Sequence, residues 1–215
     1  MSRIRAPQLL LAALLCIAAL LAGCNLPGDA PTPTRALNPD TPEGAVLAHA
    51  AANAPDPEAA ANSFAPLHIW ELDGDRLVAY SFAGGYGEAW SVCNGLARAT
   101  SADGWQVVEA GARCWDADEA SAITGLYSVV TDRAGNVETL IFGDVLSIDV
   151  TAVSVEFVVG GASAVATIGE GGYWLTASGA QPPARAVAID VLGDLVQLLD
   201  FGAPLTMTPV GAPTP

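Results

Sequence analysis

His68-Ile69-Trp70-Glu71-Leu72-Asp73-Gly74-Asp75-Arg76-Leu77-Val78-Ala79-Tyr80 is the stretch that decides the fold. An Asp-Gly pair between two runs of β-forming residues marks a two-residue hairpin. A type I′ turn needs positive φ at both central residues, which favours Asp, Asn and Gly. With Asp73-Gly74 at the turn, Glu71 falls opposite Arg76 as a favourable cross-strand charge pair. The same register places His68, Trp70, Leu77 and Ala79 on one face and Ile69, Val78 and Tyr80 on the other.

Working outward, the chain from Leu67 onward reads as strands and turns. Asp103-Gly104 predicts a second two-residue turn, and Gly193-Asp194 a type II′ turn joining Ala186–Val191 to Leu195–Asp200. Val153, Val155, Phe157 and Val159 alternate as in a half-buried strand. Upstream, Thr41-Pro42-Glu43 combines a capping hydroxyl, Pro at the first helical position and an acid in the first turn. That helix is predicted to stop near Asn53, before Pro55. Asp56-Pro57-Glu58 starts a shorter one toward Phe64. The fold class is therefore mainly β: short N-terminal helices, then antiparallel sheets. Residues 42–120 are expected to form an α+β part and 121–205 a β-sandwich-like part, with a disordered tail over 206–215.

Residues 41–65 are similar to the opening of NTF2-like domains, where helices precede a curved antiparallel sheet. Across 123–201, Val153-Ser154-Val155-Glu156-Phe157, Gly160-Gly161, Gly171-Gly172-Tyr173-Trp174-Leu175 and Ala186-Val187-Ala188-Ile189-Asp190 resemble small extracytoplasmic β-sandwich modules.

At the N-terminus, Arg3 and Arg5 precede the apolar run Leu9–Ala22, fourteen residues long. A spanning helix needs about 20, so the run suits a signal-peptide core. It ends in Leu21-Ala22-Gly23-Cys24, which resembles the lipobox of bacterial lipoproteins. The resemblance implies that 1–23 is removed, that Cys24 receives a diacylglycerol, and that the protein is anchored to the cell membrane outside the cytoplasm. Residues 24–41, with Pro27, Pro31, Pro33 and Pro39, then read as a lipidated, flexible tether.

Export leaves Cys93 and Cys114 as spare cysteines, and an oxidising compartment invites a disulfide. Each lies ten residues from the Asp103-Gly104 turn. A regular hairpin sets them opposite each other at a non-hydrogen-bonded site, where side chains approach closest. A bulge at Gly95 or Gly111 would break that register. No Cys-x-x-Cys spacing supports a metal or redox pair.

The chain carries 8 basic against 23 acidic residues, and every basic one is arginine. Without lysine, P-loop, pyridoxal and Ser-x-x-Lys chemistries lose their central residue. Removal of Arg3 and Arg5 takes the net charge from −15 to −17. That repels phosphate backbones and anionic headgroups, so nucleic acid is not an expected partner. Membrane contact is left to the lipid on Cys24.

Few residues suggest chemistry. His49 and His68 are the two imidazoles. Asp116, Asp118 and Glu119 form an acidic group that suits Ca²⁺ by ligand type but has no EF-hand spacing. Tyr86 and Tyr173 sit beside glycine runs and, with His68, are candidate ligand-contacting residues. Trp70, Trp90, Trp105, Trp115 and Trp174 read as core. No cofactor is expected. The sequence favours a non-enzymatic interaction or envelope module with an unidentified protein or small-molecule partner. The alternatives are a small-ligand binder with an NTF2-like cavity, and a hydrolase using His68 and a carboxylate.

Overall fold

The computed structural model describes residues 38–86, 89–101, 103–116 and 121–211, with the backbone alone at 85, 86, 89 and 90. The leader 1–23, Cys24, the tether up to residue 37, Asp118, Glu119 and 212–215 lie outside the described residues. Two helices open the described part, α1 (Pro42–Asn53) and α2 (Pro57–Ser63). Both are capped as the sequence suggests. The Thr41 hydroxyl accepts from the Gly44 amide at 3.2 Å, and the Asp56 carboxylate accepts from the Ala59 amide at 2.9 Å. Among the described residues, no helix is long and apolar enough to cross a membrane.

Three antiparallel sheets follow, giving a mainly β fold. The first contains β1 (Ala65–Leu72), β2 (Asp75–Tyr86), β3 (Ala89–Thr100), β4 (Gln106–Asp116) and a late strand, Thr208–Pro209, paired to β4. The second is built from β5 (Leu126–Thr131), β6 (Val137–Asp144), β9 (Thr167–Gly169) and β10 (Gly172–Ser178), in the order β5-β6-β10-β9. The third holds β7 (Ala152–Phe157), β8 (Ser163–Val165), β11 (Pro183–Ile189) and β12 (Leu195–Asp200), in the order β12-β11-β7-β8. Thr208–Pro209 is β13.

The opening hairpin has the register read from the sequence. Glu71 faces Arg76, and their side chains meet at 2.7 Å. Asp73 and Gly74 both have positive φ, 55° and 90°, as a type I′ turn requires. Period-2 alternation then sends β2 into two different cores. Val78, Tyr80 and Phe82 face the helices with Val46, Ala50 and Ala60. Leu77 and Ala79 face the second sheet with Leu126, Leu140 and Phe142.

The second sheet is the middle layer. On one side Leu140 and Phe142 meet the first sheet; on the other Tyr127, Ile141 and Tyr173 meet Val153, Val155 and Ala186 of the third. β6 is accordingly buried over Thr139–Asp144, without the polar alternation of a one-sided strand. The layers run helices, first sheet, second sheet, third sheet.

Four expectations need correction. First, the β3–β4 connection spans 101–105, since Thr100 pairs with Gln106. Trp105 is drawn onto the helix-facing cluster, where the Arg76 guanidinium lies 5.9 Å from its ring centroid. Second, β11–β12 closes through Val191-Leu192-Gly193 and not a two-residue turn. Asp190 and Asp194 share a backbone bond at 3.0 Å, and the Asp190 carboxylate accepts from the Leu192 and Asp194 amides. Gly193, at φ 87°, takes the left-handed position of that three-residue loop. Third, β7 ends at Phe157, and Val159 is 70% exposed in the following turn.

The fourth concerns the tail. Residues 205–210 run along the sheet edges: the Leu205 amide donates to the Tyr127 carbonyl at 2.7 Å, and the Val210 amide to the Val108 carbonyl at 2.8 Å. Leu205 is buried and Met207 partly so against the first–second sheet core. Apolar burial and edge hydrogen bonds fix what the Pro/Thr-rich composition suggested was loose.

Candidate functional site

The sequence candidates do not converge. Cys93 and Cys114 are paired across β3 and β4 with sulfurs at disulfide distance and Cα atoms 4.0 Å apart, the close spacing of a non-hydrogen-bonded pair. The pair survives because two irregularities cancel. The longer turn shifts the register by one residue, and an extra residue in β4, Val108, shifts it back.

His68 is held by rings. It stacks on Trp174 at 4.5 Å and meets the edge of Trp70 at 4.6 Å, while the Trp70 indole donates to the Thr176 hydroxyl at 2.9 Å. Burial lowers the His68 pKa, which favours the neutral imidazole. Among the described residues it makes no hydrogen bond to a carboxylate. Tyr173 does not sit on an open loop. Its side chain is wholly buried between the second and third sheets, its hydroxyl lies over Gly125, and that hydroxyl has no hydrogen-bond partner among the described residues. Burial first, and the Asp144 charge second, push its pKa up. Tyr86 ends β2 opposite Ala89, and its side chain is outside the described set. Asp116 ends β4, whereas Asp118 and Glu119 fall outside the described residues. No group of three His, Cys, Asp or Glu side chains is placed to hold a metal among the described residues.

A buried polar cluster went unread in the sequence. Asp144, at the end of β6, accepts from the Asn94 amide of β3 at 2.7 Å and bonds the Ser81 hydroxyl of β2. The Thr124 hydroxyl donates to the Asn94 carbonyl oxygen and accepts from the Asp144 amide at 3.1 Å. All four side chains are buried. Desolvation raises the Asp144 pKa, and the Asn94 and Ser81 hydrogen bonds oppose that rise. The cluster stitches the first sheet to the second and is closed to solvent.

Besides a charged cleft of about 510 Å³ lined by Asp75, Arg98, Glu109, Asp132 and Arg133, two open features with apolar walls remain. One is a cleft of about 380 Å³ between α1 and the helix-facing side of the first sheet, with His49 and Asn53 on one wall and Tyr80 and Phe82 on another. The other is the outer face of the third sheet. Register aligns Val165, Ser154, Val187 and Leu198 in one row across β8, β7, β11 and β12, and Ala152, Ile189 and Leu195 in the next. Val165 is 71% exposed, Leu195 59% and Leu198 50%. The rows run onto the β11–β12 tip, where Val191 and Leu192 are more than four-fifths exposed. Beside it the loop bearing fully exposed Ile148 is tied in by the Thr151 amide bond to the Ile189 carbonyl. A third row, Glu156–Arg185–Asp200, and the loop acids Asp149, Asp190 and Asp194 form the rim. Arg185 is ion-paired to Glu156 at 3.1 Å, so the rim is acidic.

No protein-family model, curated protein or solved structure matches the chain.

Proposed function

We propose that this protein is a lipid-anchored module outside the cytoplasm that works by binding rather than catalysis, through the outer face of its third sheet. The observation that supports this is the run of exposed aliphatic side chains in register across four strands and onto the adjoining tip. Scattered surface leucines need no explanation, but a contiguous apolar face rimmed by charge marks an interaction surface. The rim selects the occupant. Five acids surround the face with one arginine, already paired, and the whole chain carries −15. A second copy brings like charge to like charge, and an anionic bilayer does the same. The fitting partner is a protein with an aliphatic patch ringed by Lys or Arg. The lipobox-like Leu21-Ala22-Gly23-Cys24 supplies the anchor and the address in this reading.

Two measurements test it. Cys24→Ala should leave an unlipidated precursor, and unchanged processing and detergent partitioning would defeat the anchor. A photo-crosslinking residue at Leu198, expressed in the native host, should yield one heterologous adduct. The purified partner should bind the wild type more weakly as salt rises and lose binding to a folded Leu195→Glu/Leu198→Glu variant. An adduct only with a second copy, or undiminished binding by the variant, overturns the surface.

A further inference from the structure

The cleft beside α1 is built from small residues where a sheet normally presents large ones. In the helix-facing layer Tyr80 of β2 lies opposite Gly95 of β3, which lies opposite Ala112 of β4. A Cβ on Gly95 would fall 2.3 Å from the Tyr80 ring, so glycine there lets the phenol lie flat across β3. Its hydroxyl end lies over Gly95, and Ala110 and Ala112 of the neighbouring strand keep the floor of the cleft low. Tyr80 is 2% exposed, and its hydroxyl makes no hydrogen bond among the described residues. Unlike the Tyr173 hydroxyl, it is not among the buried unpartnered atoms, and Tyr80 lines the cleft.

The walls also specify charge. In a chain of net charge −15, the described lining contains no Asp, Glu, Lys or Arg. The His49 imidazole is shifted toward its neutral form by burial, and the Tyr80 phenol, pushed up to about 12 by burial, keeps its proton. The Asn53 amide donates to the His49 carbonyl at 2.8 Å and lies 3.4 Å from His49 Nδ1. A neutral imidazole and a protonated phenol each carry one hydrogen to offer an acceptor. Phe82 stacks beside Tyr80 at 6.0 Å, continuing an aromatic wall. The volume is at the low end of the ~300–1,000 Å³ of small-molecule sites.

We propose that this cleft binds a small uncharged ring compound, with a hydrogen-bond-accepting oxygen set at the Tyr80 hydroxyl. The site is separate from the third-sheet face and does not depend on it.

Three probes of one shape test it: benzamide, which is neutral with an accepting carbonyl; benzoate, which is anionic; and toluene, which has no acceptor. Binding to the full chain is read by thermal shift and by NMR titration. Benzamide should bind saturably, at least about tenfold more tightly than benzoate, since burying an unpaired charge is costly. Tyr80→Phe should erase the preference for benzamide over toluene while leaving the fold intact. Ala112→Phe should abolish binding by filling the floor. His49→Trp, at a helix position, fills the cleft from the opposite wall should Ala112→Phe fail to fold. No saturable benzamide binding, equal binding of benzoate, or undiminished binding in the filled variants overturns the proposal.

Discussion

The first and third sheets are made from similar strands and end up in opposite situations. In the first, both faces are covered: Val78 and Tyr80 lie under the helices, and Leu77 and Ala79 lie against the second sheet. In the third, Val153, Val155, Ala186 and Ala188 are covered while Val165, Leu195 and Leu198 are not. At about 25 cal/mol per Å² of apolar surface, leaving such a face bare forgoes stabilisation that the rest of the chain collects. The difference separates residues that hold the fold from residues available to something else. It also makes the second sheet the member on which both neighbours depend.

That dependence is the first place to break the comparison. Phe142→Ala removes a fully buried ring of the middle sheet and should cost about 3–5 kcal/mol. Denaturant titration followed by tryptophan fluorescence and by far-UV circular dichroism should give one coincident, shifted transition. Separate transitions would mean that the first and third sheets unfold independently. Next in size is Cys93→Ala/Cys114→Ala. Opening a loop with sequence separation 21 should cost roughly 3 kcal/mol in the chain-entropy model. The same titration, with and without reductant, checks it. A wild type whose midpoint ignores reductant, with alkylatable thiols, would remove the bridge.

Legibility in the sequence followed the range of the interactions. The helix caps at Thr41 and Asp56, the Asp73-Gly74 turn and the Glu71–Arg76 pairing depend on neighbours a few residues apart, and all were readable. Cys93 opposite Cys114 was reached through a turn that is longer than read, because Val108 restores the register. The Gly193 loop was misjudged because the Asp190 side chain, not the Gly-Asp pair, organises it. Tyr173 beside its glycines looked like a loop residue; its burial comes from the third sheet packing on β10, which no local pattern encodes. The Asp144–Asn94–Thr124–Ser81 cluster joins residues up to 63 positions apart, and each looks alone like an ordinary surface polar residue. The cleft was invisible for the same reason, since Gly95 and Ala112 acquire meaning only once β3 and β4 lie side by side.

A smaller effect sharpens the seam between the first two sheets. A carboxyl whose folded-state pKa is raised binds its proton more readily in the native than in the unfolded chain. Its ionisation therefore opposes folding above the folded-state pKa, and stability is regained as pH falls through that value toward the unfolded one. Asp144 belongs to this class. Asp144→Asn keeps an oxygen for the Asn94 amide, and the Ser81 hydroxyl can reverse to accept. The substitution should change stability at pH 7.5 by no more than about 1–2 kcal/mol, toward greater stability. It should also flatten the gain that the wild type shows from neutral to mildly acidic pH. Unfolding free energies of both proteins across that range decide it; parallel pH curves would show that Asp144 is not the group responsible.

The smallest effect is the most discriminating. Leu198 is half exposed on the bare face, and Val187 beside it is partly so. If nothing within the chain covers them, Leu198→Thr and Val187→Thr should each alter stability by less than about 0.5 kcal/mol, the range of surface substitutions away from special features. Threonine keeps β-propensity at both positions, so strand formation is not the variable under test. Leu140→Thr, at a fully buried position of the middle sheet, is the control and should be far more damaging. A loss at Leu198 approaching that at Leu140 would place the outer face within the folding core, with the apolar rows packed on part of the chain itself. A negligible loss, together with weakened binding of the same variant to the purified partner, assigns those side chains to binding and leaves folding to the layers beneath.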